Sequence, residues 1–228
     1  MTDFVFSPPP PASVAISGSA ARFPVRRIFC VGRNYADHVR EMGGEPERMP
    51  PVFFTKPADA VVDSGSVIPY PPQTKDFHYE AELVVAIGKP ASGIAVAEAL
   101  DVVWGYGVGI DLTRRDLQSL AKKGGQPWDW GKAFDLSAPC GPLLPAAPGL
   151  GHKGRMTLTV NGAVKQDGDI SDMIWSVPEI IAACSASVAL RPGDLIFTGT
   201  PSGVGPLVSG DRVRVTIEGL PDLEISIG

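Results

Sequence analysis

The chain has 228 residues, 44% of them hydrophobic and 20% charged, with a formal net charge of -5. That length buries a full core, and the acidic balance argues against nucleic acid as a partner. No apolar run reaches the length of a membrane span, and the start "MTDFVFSPPPP" lacks the basic-then-apolar pattern of a secretory signal.

Glycine (26) and proline (23) are abundant, which points to many turns and a β-rich chain. In chain order, residues 1–24 read as an extension, a polyproline arm followed by a short strand or hairpin. Residues 25–228 read as one catalytic domain. "RIFCVG" is a buried strand, "RNYADHVREMGG" a short polar helix closed by two glycines, and "PVFFTKP" a strand closed by proline. "SVIPYPPQTKD" reads as irregular, and "YEAELVVAIG" as one strand. "AVAEALDVV" is a short helix, "WGYGVGIDL" a Gly-interrupted strand, "TRRDLQSLAKKGG" a helix and "WDWGKAFD" an aromatic-rich loop. "RMTLTVNGAVKQDG" is a hairpin turning on Asn161-Gly162, where both residues tolerate positive φ. "SVPEIIAACSAS" is a helix with a Ser176/Glu179 capping box, "DLIFTGTPSGVG" a strand and Gly-rich turn, and "DRVRVTIEGLPDLEISIG" a closing hairpin. Helices do not alternate regularly with strands, so the expected class is α+β and predominantly β. The three scattered cysteines form no CxxC and fit a reducing, cytoplasmic setting.

The segment "FHYEAELVVAI" poses a problem. In a strand, Glu80 and Glu82 stand on one face, two like charges side by side. Such a pair is tolerated if both are solvated, if one is protonated, or if a cation sits between them. Asp111 ends "WGYGVGID" where a helix begins; it either caps that helix or adds a third oxygen ligand. Three oxygens without a Cys or His pair suit Mg²⁺ or Mn²⁺ better than zinc. His38 and Glu41 lie three apart on the short helix, as a surface pair or as a functional one. Lys132 can pack its stem in the aromatic loop and present its charge. "TGTPSGVG" lacks the Lys-Ser/Thr of a P-loop, and as a turn it needs no ligand.

Taken together and in order, "VGRNYADHVREMG", "FTKP", "HYEAELVVAIG", "GYGVGIDLTRRDLQ", "PWDWGKAFD", "VNG", "MIWSVPEII" and "PGDLIFTGTPSGVGPL" resemble the fumarylacetoacetate hydrolase family, specifically its short members. The resemblance implies a mixed β-roll, one Mg²⁺ or Mn²⁺ per subunit and a homodimer. The implied activity is hydrolysis of the C–C bond of a 2,4-dioxo acid (an acylpyruvate), with fumarylpyruvate giving fumarate and pyruvate as the expected case. Decarboxylation of oxaloacetate or another 2-oxo acid, or tautomerisation, is the alternative on the same core. By motif, Glu80, Glu82 and Asp111 fall on metal ligands, and His38 with Glu41 on a catalytic dyad. Lys132 falls on an enolate-stabilising position. Arg33, Gln118 and Thr200 fall on substrate-holding positions, and Lys56 on a recurrent site position.

Overall fold

The computed structural model describes residues 3–228. It is predominantly β, as expected, with few and short helices. Its main sheet runs Val52–Lys56, Arg27–Gly32, Asp194–Phe197, Ala81–Ile87, Val103–Ile110, Ala138–Cys140 and Val61–Asp63, with Leu144–Pro145 also pairing onto Val103–Ile110. The sheet is mixed: Asp194–Phe197 runs parallel to Arg27–Gly32 and antiparallel to Ala81–Ile87. A second sheet holds Ala163–Asp169, Arg155–Val160, Arg212–Ile217, Leu223–Ile227 and Ser66–Ile68.

The strand Ala81–Ile87 is buried along its whole length. Leu83, Val85 and Ile87 join the core shared with Met156, Leu158, Val215 and Ile225 of the second sheet. Val84 and Ala86 join the other core, with Ile28, Leu195 and Phe197. Burial on both faces is why this segment reads as a continuous apolar run rather than an alternating one. Each such Val, Leu or Ile side chain contributes roughly 1.5–3 kcal/mol. The hairpin Ser13–Ala15/Arg22–Pro24 lays Val14 and Phe23 into that second core.

Three elements differ from the sequence reading. "YEAELVVAIG" is not one strand: Phe77–Tyr79 belongs to a three-stranded sheet with Thr113–Arg114 and Gly205–Pro206, and the chain changes sheets at Glu80. There the Ala81 N–H donates to the Gln166 side-chain oxygen (2.9 Å) instead of a strand partner. Ser66–Ile68 is a strand rather than irregular, because it pairs parallel with the distant Leu223–Ile227. "WDWGKAFD" contains a single helical turn, Asp129–Lys132. The helix carrying His38 spans only Ala36–Glu41. The Asn161-Gly162 turn is as expected, with φ of 52° and 82°.

Candidate metal and catalytic site

The site begins with the ladder between two central strands. Ala81 faces Ile110 and Glu82 faces Gly109. One step outward, the Asp111 N–H donates to the Glu80 carbonyl at 2.8 Å. The register therefore brings three carboxylates from two strand ends to one spot. One oxygen from each of Glu80, Glu82 and Asp111 lies within 4.8 Å of the others, and all three residues are buried.

Three cations meet these carboxylates. Lys132 Nζ donates to Glu80 Oε2 (2.9 Å), Asp111 Oδ2 (2.6 Å) and Thr113 Oγ1 (2.7 Å). Arg115 donates one guanidinium nitrogen to Glu80 Oε1 and another to Gln118 Oε1 (2.7 Å). Lys56 Nζ lies 2.9 Å from Asp111 Oδ1 and donates to the backbone carbonyls of Leu112 and Lys132. Among the described residues Glu82 has no such partner, and its Oε2 accepts only the Gly199 N–H, at 2.9 Å.

The electrostatics follow from this unequal sharing. Burial opposes ionisation of Glu80, yet Lys132 and Arg115 hold its carboxyl well below the usual range. Burial, with the charges of Asp111 and Glu80, pushes the Glu82 carboxyl well above it. Burial works against the Lys132 charge too, but Asp111 and Glu80 outweigh it and raise the ammonium pKa. Asp111 Oδ1, buried and close to Lys56, accepts no aligned hydrogen bond. An all-oxygen cluster with one uncompensated carboxylate and one oxygen short of a donor fits a hard divalent cation. Glu80, Glu82 and Asp111 are the residues that can hold it.

A pocket opens above the carboxylates, lined among others by Arg33, His38, Glu80, Glu82, Gln118, Lys132 and Thr200. His38 is buried, and its Nδ1 lies 3.2 Å from Glu41 Oε2. Glu41 in turn accepts the Gly203 N–H (3.0 Å), docking the short helix on the Gly-rich turn. Gly203 has φ of 95°, and a Cβ there would lie 2.2 Å from the Lys165 carbonyl oxygen. Thr200 Oγ1 accepts from Gln166 Nε2 at 2.8 Å. Lys56 is brought to the cluster but lies beneath it, fully buried and away from the pocket lining.

Several residues at the site had no assigned role in the sequence reading. Arg115 sits beside Arg114 in "TRRDLQ", and nothing in the spacing tells which turns inward. The backbone decides: the Arg115 N–H is held by the Asp76 carbonyl (2.8 Å), while the Arg114 guanidinium packs over the Phe134 ring at 4.3 Å. Gln166 links Ala81, Thr200 and Pro201 from a hairpin whose sequence gives only its turn. Asn34 is wholly buried. Its Nδ2 donates to the carbonyls of Thr198 (2.8 Å) and Trp175 (3.0 Å), and its Oδ1 accepts the Trp175 N–H (2.7 Å).

Residues 27–227 match the family described as fumarylacetoacetate (FAA) hydrolase, C-terminal. A fumarylpyruvate hydrolase of Ralstonia sp is 43% identical over 176 residues, covering 77% of this chain and 92% of the relative. The oxaloacetate tautomerase YcgM of Escherichia coli is 42% identical over 205 residues, covering 89% and 93%. The crystal structure of fumarylpyruvate hydrolase from Pseudomonas aeruginosa in complex with Mn²⁺ and pyruvate superposes with a TM-score of 0.96 at 51% identity, over 99% of both chains.

Proposed function

This chain belongs to the fumarylacetoacetate hydrolase family, and on that premise we propose that it hydrolyses the C–C bond of an acylpyruvate, with fumarylpyruvate as substrate. One observation carries the reading. A buried carboxylate cluster with an uncompensated Glu82 shares a pocket with a carboxylate-held histidine. The relatives named fumarylpyruvate hydrolase support the substrate.

A Mg²⁺ or Mn²⁺ ion held by Glu80, Glu82 and Asp111 supplies Lewis-acid polarisation of the bound 2-oxo acid. Glu41 accepts from His38 Nδ1 and so leaves Nε2 free to take a proton. His38 takes that proton from a water, whose hydroxide adds to the C4 carbonyl. The C3–C4 bond then breaks. Its electron pair becomes the pyruvate enolate, the acyl part leaves as fumarate, and the proton returns to C3. Thr200, Gln118 and Arg33 hold the substrate. Arg115 keeps Glu80 ionised and oriented. Lys132, its ammonium held by Glu80, Asp111 and Thr113, faces the enolate oxygen. Lys56 acts from below, as a counter-charge to Asp111.

A second reading, enol–keto conversion of oxaloacetate, draws on the relatives named oxaloacetate tautomerase. It needs proton transfer without an attacking water. Incubating the purified protein with fumarylpyruvate and, separately, with oxaloacetate, each with Mg²⁺ and with chelator, separates the two by product. The reading includes a homodimer, checked by sedimentation. It also includes a cytoplasmic location, supported by three buried, unpaired cysteines. Among the described residues no helix is long and apolar enough to cross a membrane.

A further inference from the structure

Lys132, Arg115 and Lys56 are each engaged with Glu80 or Asp111. Two more cations in the same pocket are not. Arg33 and Lys122 both line it, and among the described residues neither forms an ion pair with a carboxylate. Lys122, in the last turn of the helix Arg115–Gly124, places its ammonium 4.9 Å from the centre of the Trp128 ring. Trp128 lines the pocket as well and packs against Phe54 with ring centres 5.7 Å apart. The aromatic pair thus gives a flexible side chain a fixed seat. Arg33 has a φ of 60°, a costly conformation for a non-glycine residue and one that tends to mark functional positions. Partial desolvation, then the positive charge of Arg115, lower the Lys122 pKa to about 8, with Glu80 opposing and Lys132 and Arg33 adding to the effect. An anion arriving there relieves this repulsion.

We propose that Lys122, seated on Trp128 and assisted by Arg33, binds the terminal carboxylate of the acyl group and so selects dicarboxylic acylpyruvates over those with neutral acyl groups. This deepens the functional reading above and rests on it for the substrate class. The 2-oxo acid end of the substrate is taken by the carboxylate cluster with its cation. The far carboxylate, five carbons from the 2-oxo carbon in fumarylpyruvate, needs a second positive partner in the pocket. Of the two lining cations without a carboxylate partner among the described residues, Lys122 is the one seated on an aromatic ring.

The test separates binding from turnover. Calorimetry in Mg²⁺ compares 2-oxoheptanedioate with 2-oxoheptanoate, two non-cleavable 2-oxo acids of equal length that differ in the terminal carboxylate. The parent protein is expected to prefer the diacid by about tenfold or more, the range of one charge-assisted hydrogen bond. Lys122→Met should bring the two within about threefold, and Lys122→Arg should retain most of the preference. A parent with no preference, or a Lys122→Met variant that keeps it, overturns the subsite. In parallel, the ratio of kcat/KM for fumarylpyruvate to that for acetylpyruvate should fall about tenfold in Lys122→Met; an unchanged ratio also overturns it. If no acylpyruvate is cleaved by the parent while the binding preference holds, the hydrolase reading fails and the subsite stands.

Discussion

Asp111 donates its backbone N–H to the carbonyl of Glu80 at 2.8 Å, one step past the Ala81–Ile110 pair. This single backbone bond makes neighbours of two carboxylates that lie far apart in sequence. With Glu82 one residue inside the ladder, the cluster is a product of strand register. A slip of one residue would turn the side chains of the slipped strand to the other face.

Glu82 is the carboxylate without a cation, and removing its charge has opposite effects on metal and fold. Glu82→Gln should weaken Mn²⁺ binding by about 100-fold or more, read by calorimetry, with activity falling in step. In chelator its melting temperature should equal or exceed that of the parent, because a buried uncompensated charge has gone. A variant that binds Mn²⁺ as the parent does would remove Glu82 from the ligand set.

Lys132 is an internal counter-ion of the carboxylate cluster. Lys132→Met leaves Glu80 and Asp111 short of a buried partner, a loss of about 3–5 kcal/mol in chelator. Added Mg²⁺ should restore part of it. With metal present, kcat should fall more than KM rises, as for an interaction made chiefly in the transition state. A raised KM at unchanged kcat would make Lys132 a substrate anchor instead.

The segment from His38 to Pro50 joins a six-residue helix to an exposed loop. The loop is tied by few bonds: Arg48 to Glu179 (2.5 Å) and Trp175 Nε1 to the Met49 carbonyl (3.1 Å). A helix this short is marginal alone. Amides of 38–50 should exchange quickly in the free protein and slow when Mg²⁺-oxalate binds. His38→Ala should abolish hydrolysis while oxalate affinity stays within about tenfold. Equal exchange in both states would mean a preformed cover.

Gly203 carries the N–H that holds Glu41. Gly203→Ala places a methyl against the Lys165 carbonyl and strains a positive φ. The expected cost is at least about 1–2 kcal/mol, by thermal unfolding. Activity should drop beyond that, since Glu41 loses its anchor. Parental stability and rate would place the Glu41 anchor elsewhere.

Asp116 ties the turn at Thr74–Asp76 to the helix that begins with Arg115. Slight burial raises its pKa, but bonds from Thr74 Oγ1 (2.6 Å) and the N–H groups of Lys75 and Leu117 outweigh this and lower it. A carboxyl whose folded pKa is depressed contributes stability that is full above its unfolded pKa and is lost as pH falls through the folded one. The melting temperature of the parent should therefore fall below about pH 4, and Asp116→Asn should show a shallower fall over that window. Identical slopes would exclude Asp116 from the acid response.

Local patterns announced most of the strands, the Asn161-Gly162 turn and the Ser176/Glu179 helix start, because each is set by neighbouring residues. The pairing of Ser66–Ile68 with the final strand was hidden, since parallel pairing with a distant partner leaves no local signature. Within the site, Glu80 and Glu82 stood out by their own awkwardness. Arg115 and Lys122 did not. One is chosen over Arg114 by a backbone bond to Asp76, and the other gains meaning only from Trp128 beside it and from the acid it lacks.

Asn34 sets the length of a leash. Its side-chain amide clamps it to Thr198 and Trp175, and Thr198 precedes the glycine whose N–H holds Glu82. The root of the His38 helix and the floor of the pocket are thus one rigid block. His38 follows four residues later, so even a fully extended chain lets it travel no farther than about 14 Å from that root. When the segment 38–50 loosens, the imidazole therefore stays within that short radius, and its return over the site is a local search rather than a long one.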